Sequence, residues 1–261
     1  MRKGKKVMKK YFVMSDIHSF YNEMITALKL KHFDDKNPDH ILVVCGDLFD
    51  RGPDTIKVFE FAKSLAEQGR FIYVRGNHED MLFECIEELK MCCMGHHHVT
   101  NGTFSTIVQF TGENMYDLYL GLFDRTKFAM KIAPLVNFIN EYAVDYYEID
   151  DHIFVHGWIP CEPVLGKVKE DWREGNWNQA RWLNGMACWH KGAKLEGKIV
   201  VCGHWHCSWG HSHLDRECKE FPDKNRKDWL ESFKPYIKEG IAAIDACTAY
   251  SGICNCYVME R

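Results

Sequence analysis

The chain has 261 residues, 46% of them hydrophobic, enough for a packed core in one large domain or one domain with a sizeable insertion. Its 33 basic and 37 acidic residues leave a net charge of −4, which argues against a general nucleic-acid or membrane-surface binder. No apolar run approaches the roughly 18 residues of a spanning helix.

The first ten residues, MRKGKKVMKK, are basic, and the apolar stretch after them (11–14) stops at Ser15 and Asp16. That is too short for a secretion signal, so a frayed, solvated terminus and a cytoplasmic protein are expected. Residues 11–14, 41–45 and 71–74 are short apolar runs that read as buried strands. Between them, residues 20–31 and 55–68 carry helical periodicity, the second opened by Pro53 and closed by Gly69. Strand–helix–strand alternation implies parallel pairing with right-handed crossovers.

Residues 80–147 differ in character. Met- and Phe-rich helical patterns at 81–94 and 128–142 flank a Gly/Asn/Thr break at 100–103, as expected of a mainly helical insertion in a single 1–261 domain. Strand-like runs return at 152–155 and 199–202. A charged, exposed excursion follows at 211–238, and two late strands at 241–246 and 255–259 form an antiparallel pair. The fold class is α/β in layers: mixed β-sheet, with two sheets face to face between helices.

The twelve cysteines, in so long a chain with no secretion signal, read as reduced thiols rather than a disulfide framework. Cys45 and Cys202 end strand-like runs as small buried apolar groups. Cys92–Cys93 and His96–His97–His98 lack a C-x₂-C spacing and a second half, so no structural zinc is expected from them.

Five of the apolar runs end in a sudden cluster of polar residues: SDIH, GDLFDRG, RGNHE, HG and GHWH. In parallel sheets, ligands gather beyond the carboxyl ends of strands, so the five clusters share one site. Asp16 and His18, two apart on an extended strand end, point the same way. Asp16, His18 and Asp47 are assigned to one divalent ion. Asp47, Asn77, His156 and His204 are assigned to the other, with Asp47 shared. This mix of oxygen and imidazole donors suits Mn, Fe or Zn, with Mn preferred.

These motifs, in this order, resemble the calcineurin-like metallophosphoesterase superfamily. GD-x-x-DRG and RGNHE are most similar to its phosphoprotein-phosphatase branch, which includes bacterial and phage serine/threonine phosphatases and diadenosine tetraphosphatases. IDACTAYSG (244–252) extends the resemblance over nearly the whole chain. It implies the calcineurin-like metallophosphoesterase fold and in-line attack on phosphorus by a hydroxide bridging two metal ions. It further implies His78 as general acid, oriented by Asp50, with Arg51 and Arg75 holding phosphoryl oxygens. That branch has one more phosphate-binding arginine, for which Arg181 is preferred to Arg173. GHWH departs from the branch: its second histidine, His206, matches other branches where it joins the first metal.

A phosphomonoesterase of the serine/threonine phosphatase type is expected, acting on a phosphoprotein or a small phosphate ester. The alternative is a diadenosine tetraphosphate or other nucleotide pyrophosphohydrolase or phosphodiesterase on the same metals. A catalytically silent metal-binding module is disfavoured by the intact Asp50/His78 pair. A nuclease is disfavoured because no basic track is present.

Overall fold

The computed structural model describes residues 8–225 and 227–261, so most of the basic start (1–7) lies outside the described residues. Strands Lys10–Met14, His40–Cys45, Phe71–Val74 and Ala143–Val144 pair in parallel, in that order. Tyr257–Glu260 closes the free edge, antiparallel to Lys10–Met14. A second five-stranded sheet has a parallel centre of Ile241–Ala243, Ile199–Cys202 and His152–Phe154. Its edges, Tyr236–Lys238 and Tyr147–Ile149, are antiparallel.

The continuous apolar runs are explained by burial on both faces of each sheet. Successive side chains alternate across a strand. Val13, Val43, Cys45 and Val74 therefore meet Phe154, Val201, Ala242 and Ile244 in one apolar layer between the sheets. Phe12, Met14, Leu42 and Val44 face the other way, into a core shared with the helices. On the far side of the second sheet, Val155, Val200 and Cys202 pack with Trp158, Trp172 and Trp177. The expected sandwich flanked by helices is what the chain forms.

Helices Tyr21–Leu30 and Thr55–Glu67 cover the first sheet. Residues 80–147 are mainly helical, with helices Asn77–Lys90, His96–Thr100, Thr103–Thr111, Met115–Tyr119 and Arg125–Tyr142. Ile107, Phe128, Leu135 and Phe138 bury into the core of that sheet, which anchors the segment. At the 100–103 break, Gly102 has φ +84° and lies so close to Arg51 that a Cβ would fall 2.3 Å from its backbone nitrogen. Only glycine fits there.

Two expectations are corrected. The late strands do not pair with each other: Ile241–Ala243 joins the second sheet and Tyr257–Glu260 the first. The turn Thr248–Ser251 between them carries the chain across the sandwich, because each strand finds an unfilled apolar edge in a different sheet. Nor is the 211–238 excursion exposed throughout. Phe233 and Tyr236 are fully buried, and Tyr236–Lys238 is an edge strand.

Candidate metal centre

The loops beyond the strand ends converge. Lys10–Met14 stops two residues before Asp16, and Asp16, His18, Asp47, Asp50, Arg51 and His204 all have φ between +51° and +76°. Such left-handed geometry costs a non-glycine residue on the order of 1 kcal/mol and clusters at functional sites. Asp16 and His18 therefore converge through a tight turn, not through the extended strand end read from the sequence. Backbone bonds from Asp16 N to Gly46 O (3.1 Å) and His18 N to Asp47 O (3.0 Å) lock the first two loops together.

Two groups of ligand atoms result, each within 4.8 Å: His18, Asp47 and His78, and Asp47, His156 and His204. Asp47 belongs to both. Its Oδ2 lies 3.7 Å from His18 Nε2, and its Oδ1 lies 3.3 Å from His156 Nε2. Backbone carbonyls orient the rings. His18 Nδ1 donates to Phe49 O at 3.0 Å, and His156 Nδ1 donates to Cys45 O at 2.9 Å. Each Nε2 is thereby left as a lone pair aimed at the centre. Asn77 Oδ1 sits 2.8 Å from His156 Nε2. Asp16 Oδ2 accepts from His204 N at 2.9 Å, and Gly203 lies so close to that oxygen that a Cβ would be 2.2 Å away.

Divalent metal ions fit this donor set. Burial pushes the Asp16 carboxyl well up, reinforced by the charges of Asp245 and Asp47. Burial also acts upward on Asp47, but the surrounding histidines, His156 first, hold it well below the usual range. Burial keeps His18, His156 and His204 neutral, the form that ligates, with His204 down at about 3. Clustered buried carboxylates facing imidazole lone pairs are unfavourable unless a cation compensates them.

Beside this centre His78 Nδ1 donates to Asp50 Oδ2 at 2.7 Å, and Thr103 Oγ1 donates to the same oxygen at 2.8 Å. Burial draws the His78 ring down in pKa, but Asp47 and the Asp50 hydrogen bond outweigh it and the pKa is raised. Arg51 extends its fork to His18 Nε2 (2.8 Å) and His78 Nε2 (3.0 Å). Asp16, Asp47, Arg51, Asn77, His78 and His204 open onto one cavity of about 400 Å³.

Residues 9–237 match the family model for calcineurin-like phosphoesterases. The chain belongs to that family. An asymmetrical bis(5'-nucleosyl)-tetraphosphatase, PrpE of Bacillus subtilis, is 39% identical over 83 residues, 30% of this chain and 34% of that protein. The symmetrical bis(5'-nucleosyl)-tetraphosphatase of Buchnera aphidicola subsp. Schizaphis graminum is 42% identical over 69 residues, 26% of this chain and 23% of that one. These matches span about a third or less of the curated relatives' own length. A cold-active protein tyrosine phosphatase shares the fold: TM-score 0.51, 16% identity, 96% of this chain and 75% of that one.

Two residues expected to complete this calcineurin-like site stand apart from it. His206 is engaged elsewhere: Nδ1 pairs with Ser208 Oγ at 2.8 Å and Nε2 faces Glu220 Oε1 at 3.3 Å. His206 caps the helix that begins at Cys207, and its ring packs against Phe221. Arg181 is buried behind the cavity wall, its Nη1 donating to Asp80 (2.8 Å) and its Nη2 to Asp145 (2.5 Å). Asp80 also pairs with Arg75 Nε at 2.8 Å, so Arg181 braces Arg75 rather than facing the cavity. Arg173 pairs with Glu148 at the surface.

Three further residues were missed as site residues. Glu79 accepts from the N–H groups of Asp47 (3.1 Å), Leu48 (3.0 Å) and Gly76 (2.7 Å), splinting two loops; burial, then Asp47, pushes it up to about 7. Its position three residues after Gly76 is the available signal, a capping box. Asp245, in the IDACTAYSG run, is buried against the centre and pushed up to about 7 by burial. Trp182 is half exposed, edge-on to His204 at the cavity mouth. The available signal is its place in the Trp-rich run 172–189, which is expected to shape the substrate pocket.

Proposed function

We propose that the chain hydrolyses phosphate esters at the Asp47 centre. The observation that carries this is Asp47 standing between His18 and His78 on one side and His156 and His204 on the other, with His78 held by Asp50 on the same cavity. Two divalent ions there, Mn in preference to Fe or Zn, would supply an activated water and charge for the developing phosphorane oxygens. Asp16, His18 and Asp47 would hold the first ion, and Asp47, Asn77, His156 and His204 the second. The chain's own groups do the rest. Arg51 grips phosphoryl oxygens from the cavity side, Arg75 follows it under the brace of Arg181, and His78 delivers a proton to the leaving oxygen through Nε2.

A phosphomonoesterase like the serine/threonine phosphatases is the leading reading, carried by the GD-x-x-DRG and RGNHE motifs. The second reading, a dinucleoside tetraphosphatase, is favoured by the names of the relatives. Purified protein reconstituted with Mn²⁺ and assayed on phosphopeptide, diadenosine tetraphosphate and bis-aryl phosphate separates the two. Metal-independent activity, or activity that survives Asp47→Asn and His78→Ala, overturns both. Residues 1–261 are read as one domain, with the 80–147 insertion forming a cavity wall through Met81, Glu84, His97 and Asn101. A cytoplasmic setting is read from the twelve free thiols.

A further inference from the structure

A second cluster of ligands stands on the helical wall of the cavity. Glu84, from Asn77–Lys90, meets His97 and His98, from His96–Thr100, and the three offer ligand atoms within 4.8 Å of one another. Glu84 and His97 line the same cavity as Asp47, and His97 Nε2 lies 3.8 Å from Glu84 Oε2.

His98 is the telling member. It is fully buried, yet neither ring nitrogen makes a hydrogen bond. The nearest carboxylate oxygen, Glu88 Oε2, is 3.2 Å from Nε2 and already accepts from Gly95 N at 2.7 Å. An unsatisfied buried polar group costs about 1–3 kcal/mol, so a ring held this way calls for a partner. Burial, then His97, lowers the His98 pKa against the opposing pull of Glu88, and with Nε2 facing Glu88 the unpartnered Nδ1 of the neutral ring offers its lone pair to a metal. The neighbouring thiols are not part of the cluster. Cys92 Sγ accepts from Arg125 at 3.1 Å, and Cys93 Sγ points to Glu88 O.

We propose that Glu84, His97 and His98 form an accessory Zn²⁺ site, separate from the Asp47 centre. Two imidazoles and a carboxylate are a zinc donor set that leaves a coordination position open. Glu84 and His97 place that ion on the cavity wall, where its charge attracts the distal part of an anionic substrate. The site goes beyond the hydrolytic reading and stands independently of it.

Zinc bound per chain tests the proposal, measured by equilibrium dialysis against micromolar Zn²⁺ with elemental analysis. Glu84→Gln and His97→Ala are exposed substitutions, so circular dichroism unchanged from wild type is expected for both. His97→Ala binds one zinc fewer than wild type, and Asp47→Asn retains the zinc that adding His97→Ala then removes. Equal zinc content in wild type, Glu84→Gln and His97→Ala overturns the accessory site. Failure of the Asp47 centre reads differently: Asp47→Asn alone leaves the zinc count unchanged.

Discussion

Asp50 Oδ2 accepts from His78 Nδ1 at 2.7 Å, and both residues are buried. The carboxylate fixes the ring so that Nε2 faces the cavity, and it stabilises the protonated imidazolium. Because the His78 pKa is raised, its acid form persists to higher pH than a free histidine's. Asp50→Asn removes part of that support, so the pKa falls and the basic limb of the pH–rate profile moves to lower pH. The rate falls by about 10²–10⁴-fold, the usual contribution of a positioned general acid. Rate profiles with an aryl phosphate whose leaving group needs protonation check both. A basic limb that stays in place removes Asp50 from this role.

Chelation should destabilise the protein. The buried carboxylates Asp16, Asp47 and Asp245 repel one another, and cations that bind only the folded chain add about 2.7 kcal/mol at a hundredfold excess over Kd. For a chain of this size that amounts to a loss of roughly 5–10 °C in Tm on metal removal. Calorimetry of Mn²⁺-reconstituted protein with and without EDTA measures it, and Asp47→Asn should bring the two traces closer together.

Arg181 reaches Asp80 and Asp145 from a site only 4% exposed. Arg181→Gln leaves Asp145 without its cation and Asp80 with Arg75 alone, which loosens the brace on Arg75. Because the two acids are partly exposed, the loss of stability is expected near 1–2 kcal/mol, below the figure for a fully buried pair. KM should rise several-fold while the pH profile keeps its shape. Arg173→Gln, at the surface, should leave KM unchanged.

Gly102 offers a backbone test. Its φ of +84° and its closeness to Arg51 make Gly102→Ala both strained and crowded. A cost of about 1–3 kcal/mol is expected in chemical denaturation, with a fall in activity because Arg51 is displaced. A neutral result would show that the helical segment adjusts independently of the phosphate-facing loop.

Much of the site was legible in the chain itself. Apolar runs that end in Asp, His, Asn and Gly mark strand ends, and parallel pairing puts those ends on one side. Asp16, His18, Asp47, Asn77, His78, His156 and His204 all arrive together for that reason. The pairing of Asp50 with His78 was implied by the family resemblance, and the fold brings the two together at 2.7 Å. The strand-end signals are local, because the period of a strand and the chemistry of a turn are written in neighbouring residues.

Only the tertiary structure decided the rest. The destinations of the two late strands depended on which sheet edge was open, and strand periodicity does not encode that. His206 matches a metal ligand by spacing, but its neighbour Ser208 takes Nδ1 and Glu220, brought in by the excursion, faces Nε2. Arg181 became a brace because Asp80 and Asp145 come from distant segments. Asp245 and the Glu84–His97–His98 cluster appear only when long-range packing sets them beside the cavity, since burial and charge proximity are properties of the folded chain.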